Sequence, residues 1–123
     1  MYSKFDFIKI NQINSPDIQI VSNCRTNVNQ VTGEPFQMVL NVAIDRVKAN
    51  SSICEIPVYV PAKDNYKAAE HIKMLDIFRA GAPWVPVRCK NFILYRQKLE
   101  GSYHYFGFAD SFTVVDYSEI RRN

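Results

Sequence analysis

The chain is poor in the residues that would mark a metal centre, a disulfide scaffold or a membrane span. Its 123 residues hold three cysteines and two histidines. Cys24, Cys54 and Cys89 are widely spaced, form no C-x-x-C pair, and are odd in number, which argues against a disulfide framework. His71 and His104 lie apart from them in sequence, so no zinc-ligand spacing arises. No metal and no cofactor are expected, and each cysteine reads as a small buried hydrophobe. Apolar runs are short and broken by charge, so none can span a bilayer. The stretch Met1 to Phe7 carries an early acid and no apolar h-region, so it does not read as a signal peptide, and a cytoplasmic location is expected. G-x-S-x-G, P-loop, G-x-G-x-x-G, H-E-x-x-H and paired-carboxylate patterns are all missing, which speaks against an enzyme.

What is present is a β-rich chain of single-domain size. An apolar fraction of 47% supports one core, and residues 1–117 are expected to form one domain, with 118–123 as a short tail. Phe5 to Ile10 reads as a first strand, and Asn14-Ser15-Pro16-Asp17 is turn chemistry. Ile18 to Val21 extends that strand. Residues 22–34 are polar and asparagine-rich, and read as a loop or irregular hairpin tip. Phe36 to Arg46 is a second strand and Ile53 to Val60 a third. Pro57 cannot donate to a sheet ladder, which argues for an edge or a bulge there, and makes the Ile53 to Val60 edge a candidate for pairing with another copy. Asp64 to Ala80 reads as the one helix, capped by Asp64 or Asn65 and stopped by Gly81 and Pro83, with Ala68, Ile72, Leu75 and Phe78 on its apolar face. His71 falls on the polar side. Trp84 to Tyr95 is a long strand, Gln97 to Ser102 a hairpin loop, and Tyr103 to Val115 the return strand. Three strands, a helix and two strands are the order expected of an OB-fold: mainly β, a five-stranded Greek-key barrel with one helix between strands three and four.

The formal net charge is a mild +3, but its distribution is uneven. Between Val85 and Tyr105 stand Arg88, Lys90, Arg96 and Lys98 against Glu100, which is as large as the whole excess. Eight of the aromatic residues, Trp84, Phe92, Tyr95, Tyr103, Tyr105, Phe106, Phe108 and Phe112, fall between 84 and 112. Charge for phosphates and flat rings for bases are therefore concentrated together. Tyrosine tolerates a half-wet surface, so Tyr95, Tyr103 and Tyr105 are stacking candidates, while Phe92, Phe106, Phe108 and Phe112 are assigned to the core. The bland alternative for the hairpin is cross-strand tyrosine pairing and edge-guarding charge.

One stretch sharpens this. Gly33-Glu34-Pro35-Phe36-Gln37-Met38-Val39-Leu40-Asn41-Val42-Ala43-Ile44-Asp45-Arg46 resembles the second-strand signature of bacterial and phage single-stranded DNA-binding proteins. The Tyr66 to Glu70 stretch through Ala80-Gly81 resembles that family's helix and following glycine turn. Val87 to Asp116, with Gly101 and Phe108-Ala109-Asp110, resembles its last two strands. The resemblance implies an OB-fold that binds single-stranded DNA without sequence preference, protecting exposed strands in replication, recombination or transfer of a phage or mobile element. It adds Tyr59 and Lys63 to the binding residues, for a set of Tyr59, Lys63, Arg88, Lys90, Tyr95, Arg96, Lys98, Tyr103 and Tyr105. A homodimer or homotetramer, and replication or recombination proteins as partners, are implied as well; no membrane is. Departures are an apparent extra residue between Gly33 and Arg46, which suggests a bulge, the lack of a tryptophan in the third strand, and an end at Arg121-Arg122-Asn123 where relatives carry an acidic tip. The competing reading is an OB-fold interaction module, an accessory subunit of a replication or transfer complex.

Overall fold

A computed structural model describes residues 7–10, 18–43 and 55–116. Eight strands and one helix follow in the order β1 (Phe7–Ile10), β2 (Gln19–Val28), β3 (Pro35–Ala43), β4 (Glu55–Pro61), α1 (Ala69–Arg79), β5 (Val85–Lys90), β6 (Ile93–Leu99), β7 (Ser102–Phe108) and β8 (Ser111–Val114). They make one sheet in the order β1-β6-β7-β4-β3-β2-β5-β8. The ladders are antiparallel except β4 with β7, which is parallel. Val21, Leu40, Val58, Val87, Leu94 and Phe112, from six different strands, belong to a single buried cluster. A flat sheet could not bring them together, so the sheet curls into a half-barrel around that core.

Alternation builds the curl. Along β4, Ile56, Val58 and Val60 are buried while Tyr59 and Pro57 are half-exposed, the period-two pattern of a strand with one face inward. The third strand is not an edge, however: β4 lies between β3 and β7. Pro57 is tolerated because β7 registers only with Val58 and Tyr59, so at Pro57 the strand has β3 alone beside it. Residues 22–28 are not a loop either. They complete the ten-residue β2, whose asparagines are outward-facing strand positions, and the hairpin tip is confined to residues 29–34. Asn29 holds that tip: its Oδ1 accepts the Val31 and Thr32 N–H groups at 2.8 and 3.2 Å, and Gly33 takes a φ of 76°. The bulge expected in the second strand is present. Register shifts between Asn27 and Val28, so that Val28 pairs with Pro35 and Phe36 is the extra residue.

The long strands at the C-terminal end are each broken in two. Asn91 at a φ of 55° and Phe92 separate β5 from β6, and Ala109–Asp110 separate β7 from β8. The hairpin turn is tighter than the expected loop, reduced to Glu100 and Gly101, both at positive φ.

The helix stops where expected. Gly81 at a φ of 101° donates its N–H to Phe78 O at 3.0 Å. It starts later than Asp64, because Asp64 and Lys67 adopt left-handed φ values of 70° and 60° and turns occupy residues 62–68. Its buried residues are His71 and Met74, with Ile77 and Phe78 packed against the core, while Ile72 is exposed. His71 is thus not solvated. Its Nδ1 accepts the Lys67 N–H at 2.8 Å, and burial pushes its pKa below the usual 6.5. Glu70 ties the helix to the sheet by accepting the Val114 N–H at 2.7 Å. Among the described residues no helix is long and apolar enough to cross a membrane. The turn expected at 14–17, the strand end at Asp45 and Arg46, Cys54 and the tail 118–123 lie outside the described residues.

Candidate functional site

Register decides which side chains share the outer face of the sheet. Residues directly opposed on neighbouring strands point the same way. Arg25 opposes Val39, Val39 opposes Tyr59, Tyr59 opposes Phe108, and Phe108 opposes Ile93. This row crosses five strands, β2, β3, β4, β7 and β6. One step along the hairpin, Phe106 opposes Tyr95 on the same face. The result is a four-ring cluster. Phe108 lies 5.6 Å from Tyr59 in a tilted contact, and 5.6 and 5.7 Å from Tyr95 and Phe106 edge-on. Tyr95 and Phe106 stack at 5.6 Å with their planes 15° apart. Phe108, assigned to the core from sequence, is 44% exposed, and Phe106 is half-buried. Phe92 and Phe112 are the buried pair. Gly107 makes the arrangement possible. A Cβ there would meet Phe92 Cε1 at 2.6 Å, so only glycine lets β7 close over the core while Phe106 and Phe108 turn outward.

Two open grooves meet at Phe36, and the first reaches the rings. One, of about 370 Å³, runs between Phe36, Tyr59 and Phe108 with Ile93, Asn91 and Asp110 at its end. Asn91 Nδ2 donates to Asp110 Oδ2 at 2.6 Å. Asn65, buried behind this end, donates from Nδ2 to Pro61 O at 2.8 Å and Asp110 O at 3.0 Å, fixing the β4 end to the β7–β8 bend. The other groove, of about 680 Å³, lies against the β2–β3 tip and shares Phe36.

The nine residues expected to form one site are therefore divided. Tyr59 and Tyr95 are brought together through Phe108. Lys63 is exposed in the turn after β4, two residues beyond Pro61, which lines the first groove. Lys90 is exposed next to Asn91, and its carbonyl accepts the Asp110 N–H at 2.9 Å. Arg88 is exposed on the same outer side of β5, opposite Thr113. Arg96 and Tyr105 oppose each other across the hairpin, and Lys98 registers with Tyr103. Those positions alternate with Tyr95 and Phe106, so Tyr105 and Arg96 are on the other face of the hairpin from the ring cluster. Tyr95 and Tyr105, expected in one stacking set, are thereby parted.

Four residues of the face were missed in the sequence: Arg25, Phe36, Phe106 and Phe108. Arg25 was hidden by the reading of residues 22–34 as a loop. Phe106 and Phe108 share parity with Tyr95 once the turn is placed at Glu100–Gly101, so that signal was present.

Cys24 and Cys89 pack against the core, and burial pushes their thiols up to about 11 and about 12. Neither is a nucleophile at neutral pH. No three of His, Cys, Asp or Glu come together as a metal-binding group among the described residues. Trp84 is half-buried in the connection from α1 to β5. Comparison with models of known protein families, with curated proteins and with solved structures finds no match to this chain.

Proposed function

We propose that this chain binds single-stranded DNA, with the bases stacked on the outer face formed by Tyr59, Phe108, Tyr95 and Phe106, and the phosphates met by Arg25, Lys63 and Lys90. The observation that carries the reading is the four-ring cluster on the outer face, with Phe108 exposed at its centre and the other three rings half-buried. Aromatic side chains are normally drawn into the core, and a partly open cluster on a sheet face is what sequence-tolerant base stacking requires. Arg25 supports it: with strands about 4.8 Å apart it stands roughly 10 Å from Tyr59 across one intervening strand, a spacing suited to a phosphate beside a stacked base. Asp110 disfavours phosphate inside the groove between Phe36, Tyr59 and Phe108 and leaves it to bases or sugars, with the phosphates outside it at the exposed Lys63 and Lys90, neither of which lines it. Most of the affinity is then independent of sequence, and the role is to cover exposed strands in replication, recombination or DNA transfer.

The same reading covers the fold. We infer that β5 and β6 are one strand bent at Asn91–Phe92, and β7 and β8 another bent at Ala109–Asp110. Merged in this way, β2, β3, β4 and the two long strands count five. The β5 half pairs with β2 and the β7 half with β4, which closes the circuit, and α1 falls between the third and fourth strands. That order is the one expected of an OB-fold, with β1 added beside β6.

Polarisation of a labelled oligo(dT) strand, at low and moderate salt and with a duplex of equal length as control, tests the function. Tight, salt-sensitive binding to the single strand and weak binding to the duplex is the expected result. No binding at low salt rejects it, and a protein partner for this face becomes the question.

A further inference from the structure

The bulge at Phe36 marks a place where the face does more than stack. Position alternation along β3 would send Phe36 to the same side as buried Met38 and Leu40. The register shift makes Phe36 the unopposed residue, and it is 57% exposed instead. Bulges re-aim side chains in this way. The ring borders both grooves. Beside it the strands oppose two carboxamides: Asn27 lines the tip groove, Gln37 the other, and Asn27 Nδ2 donates to Gln37 Oε1 at 3.1 Å. That bond leaves Asn27 Oδ1 as an acceptor and Gln37 Nε2 as a donor, neither with a partner among the described residues.

The tip groove is lined by Thr26, Asn27, Asn29 and Gln30 around Phe36, and none of its lining residues is charged. A phosphate subsite would need Lys or Arg. A flat ring with fixed amide donors and acceptors fits a nucleobase, with the ring under its face and the amides along its edge. We propose that Phe36 and the Asn27–Gln37 pair form a base-reading subsite that favours adenine. Adenine sets an amino donor beside a ring-nitrogen acceptor on its Hoogsteen edge, the pattern that Asn and Gln side chains read, and its two fused rings give the larger stacking area. The inference rests on the DNA-binding reading above and adds a local base preference to an otherwise sequence-tolerant face.

The test compares oligo(dA) and oligo(dT) of equal length on wild type and on the double variant Asn27→Val, Gln37→Val. Valine suits a strand position, so the hairpin is kept, and far-ultraviolet circular dichroism checks the fold. The variant is expected to lose about tenfold in affinity for oligo(dA), the scale of one bidentate base contact, with oligo(dT) changed less than about twofold. A second variant, Phe36→Leu, is expected to weaken both. Equal losses on the two strands in the double variant, or none on either, overturn the subsite. Failure of wild type to bind either strand overturns the DNA-binding reading itself, a separate outcome. If the double variant does not fold, Phe36→Leu decides: an undiminished affinity for oligo(dA) overturns the subsite.

Discussion

The rings of Tyr59 and Phe108 face each other at 5.6 Å across the parallel β4–β7 ladder, from strands almost 50 residues apart in sequence. The contact joins the middle of the chain to its C-terminal hairpin on one surface. Phe108 also touches Tyr95 and Phe106, so it is the centre of the proposed stacking platform. Phe108→Ala is expected to weaken binding to single-stranded DNA by about 1–3 kcal/mol, with the slope of log K against log salt unchanged, because no phosphate contact is lost. A titration at several salt concentrations reads both quantities. Unchanged affinity would remove Phe108 from the interface.

Arg25 should behave in the opposite way. It is exposed, and stands in the row that crosses Val39 to Tyr59. Arg25→Ala is expected to lower the salt slope by about 0.7, the amount for one phosphate on a single strand. An unaltered slope would place the phosphate path elsewhere, with Lys63 and Lys90 the next residues to substitute.

Tyr105 supplies a control within the same hairpin. It is 42% exposed, yet it pairs with Arg96 on the face turned away from Tyr95. Tyr105→Ala should bind oligo(dT) like wild type, while Tyr95→Ala should bind it more weakly. Equal loss in both would mean that the strand wraps the hairpin rather than lying on one face of it.

That division explains how far the sequence could be read. The third strand and the stop at Gly81 follow from local rules, and the bulge between Gly33 and Arg46 from one extra residue against the strand pattern it resembles; all three are present. The faces of Tyr95 and Tyr105 depend on a turn of two residues rather than a longer loop, and a shift of one residue reverses them. The helix start was illegible because it depends on a left-handed Lys67 and on a histidine side chain four residues ahead that accepts its N–H. Composition misled at residues 22–28, where asparagines are the outward positions of a strand held by its neighbours.

Gly107 tests the packing beneath the platform. A methyl group there would sit 2.6 Å from Phe92 Cε1 and 3.3 Å from both Ile93 O and Val58 Cγ2. The Phe92 ring is itself buried, so it has little room to retreat. Gly107→Ala is expected to cost about 1–3 kcal/mol by overpacking, read as a lower urea midpoint. DNA affinity should fall as well, because Phe108 is the next residue. A variant as stable as wild type would show that β7 shifts freely over the core.

His71 predicts a pH dependence of stability with a definite sign. Its Nδ1 can accept the Lys67 N–H only while unprotonated, and burial lowers its pKa in the folded chain. The unfolded ring, with the ordinary pKa of 6.5, takes up a proton more readily. The His71 contribution is therefore complete above the unfolded value and is lost as pH falls below it, until the folded ring is also protonated. Urea midpoints measured at about pH 7.5 and about pH 5.5 should show wild type losing stability towards the lower value. His71→Gln keeps a side-chain acceptor that does not titrate in this range. It should show a smaller loss between the same two pH values, even if its midpoint at the higher one is lower than that of wild type. An equal loss in both proteins would assign the dependence to other groups and leave His71 as packing alone.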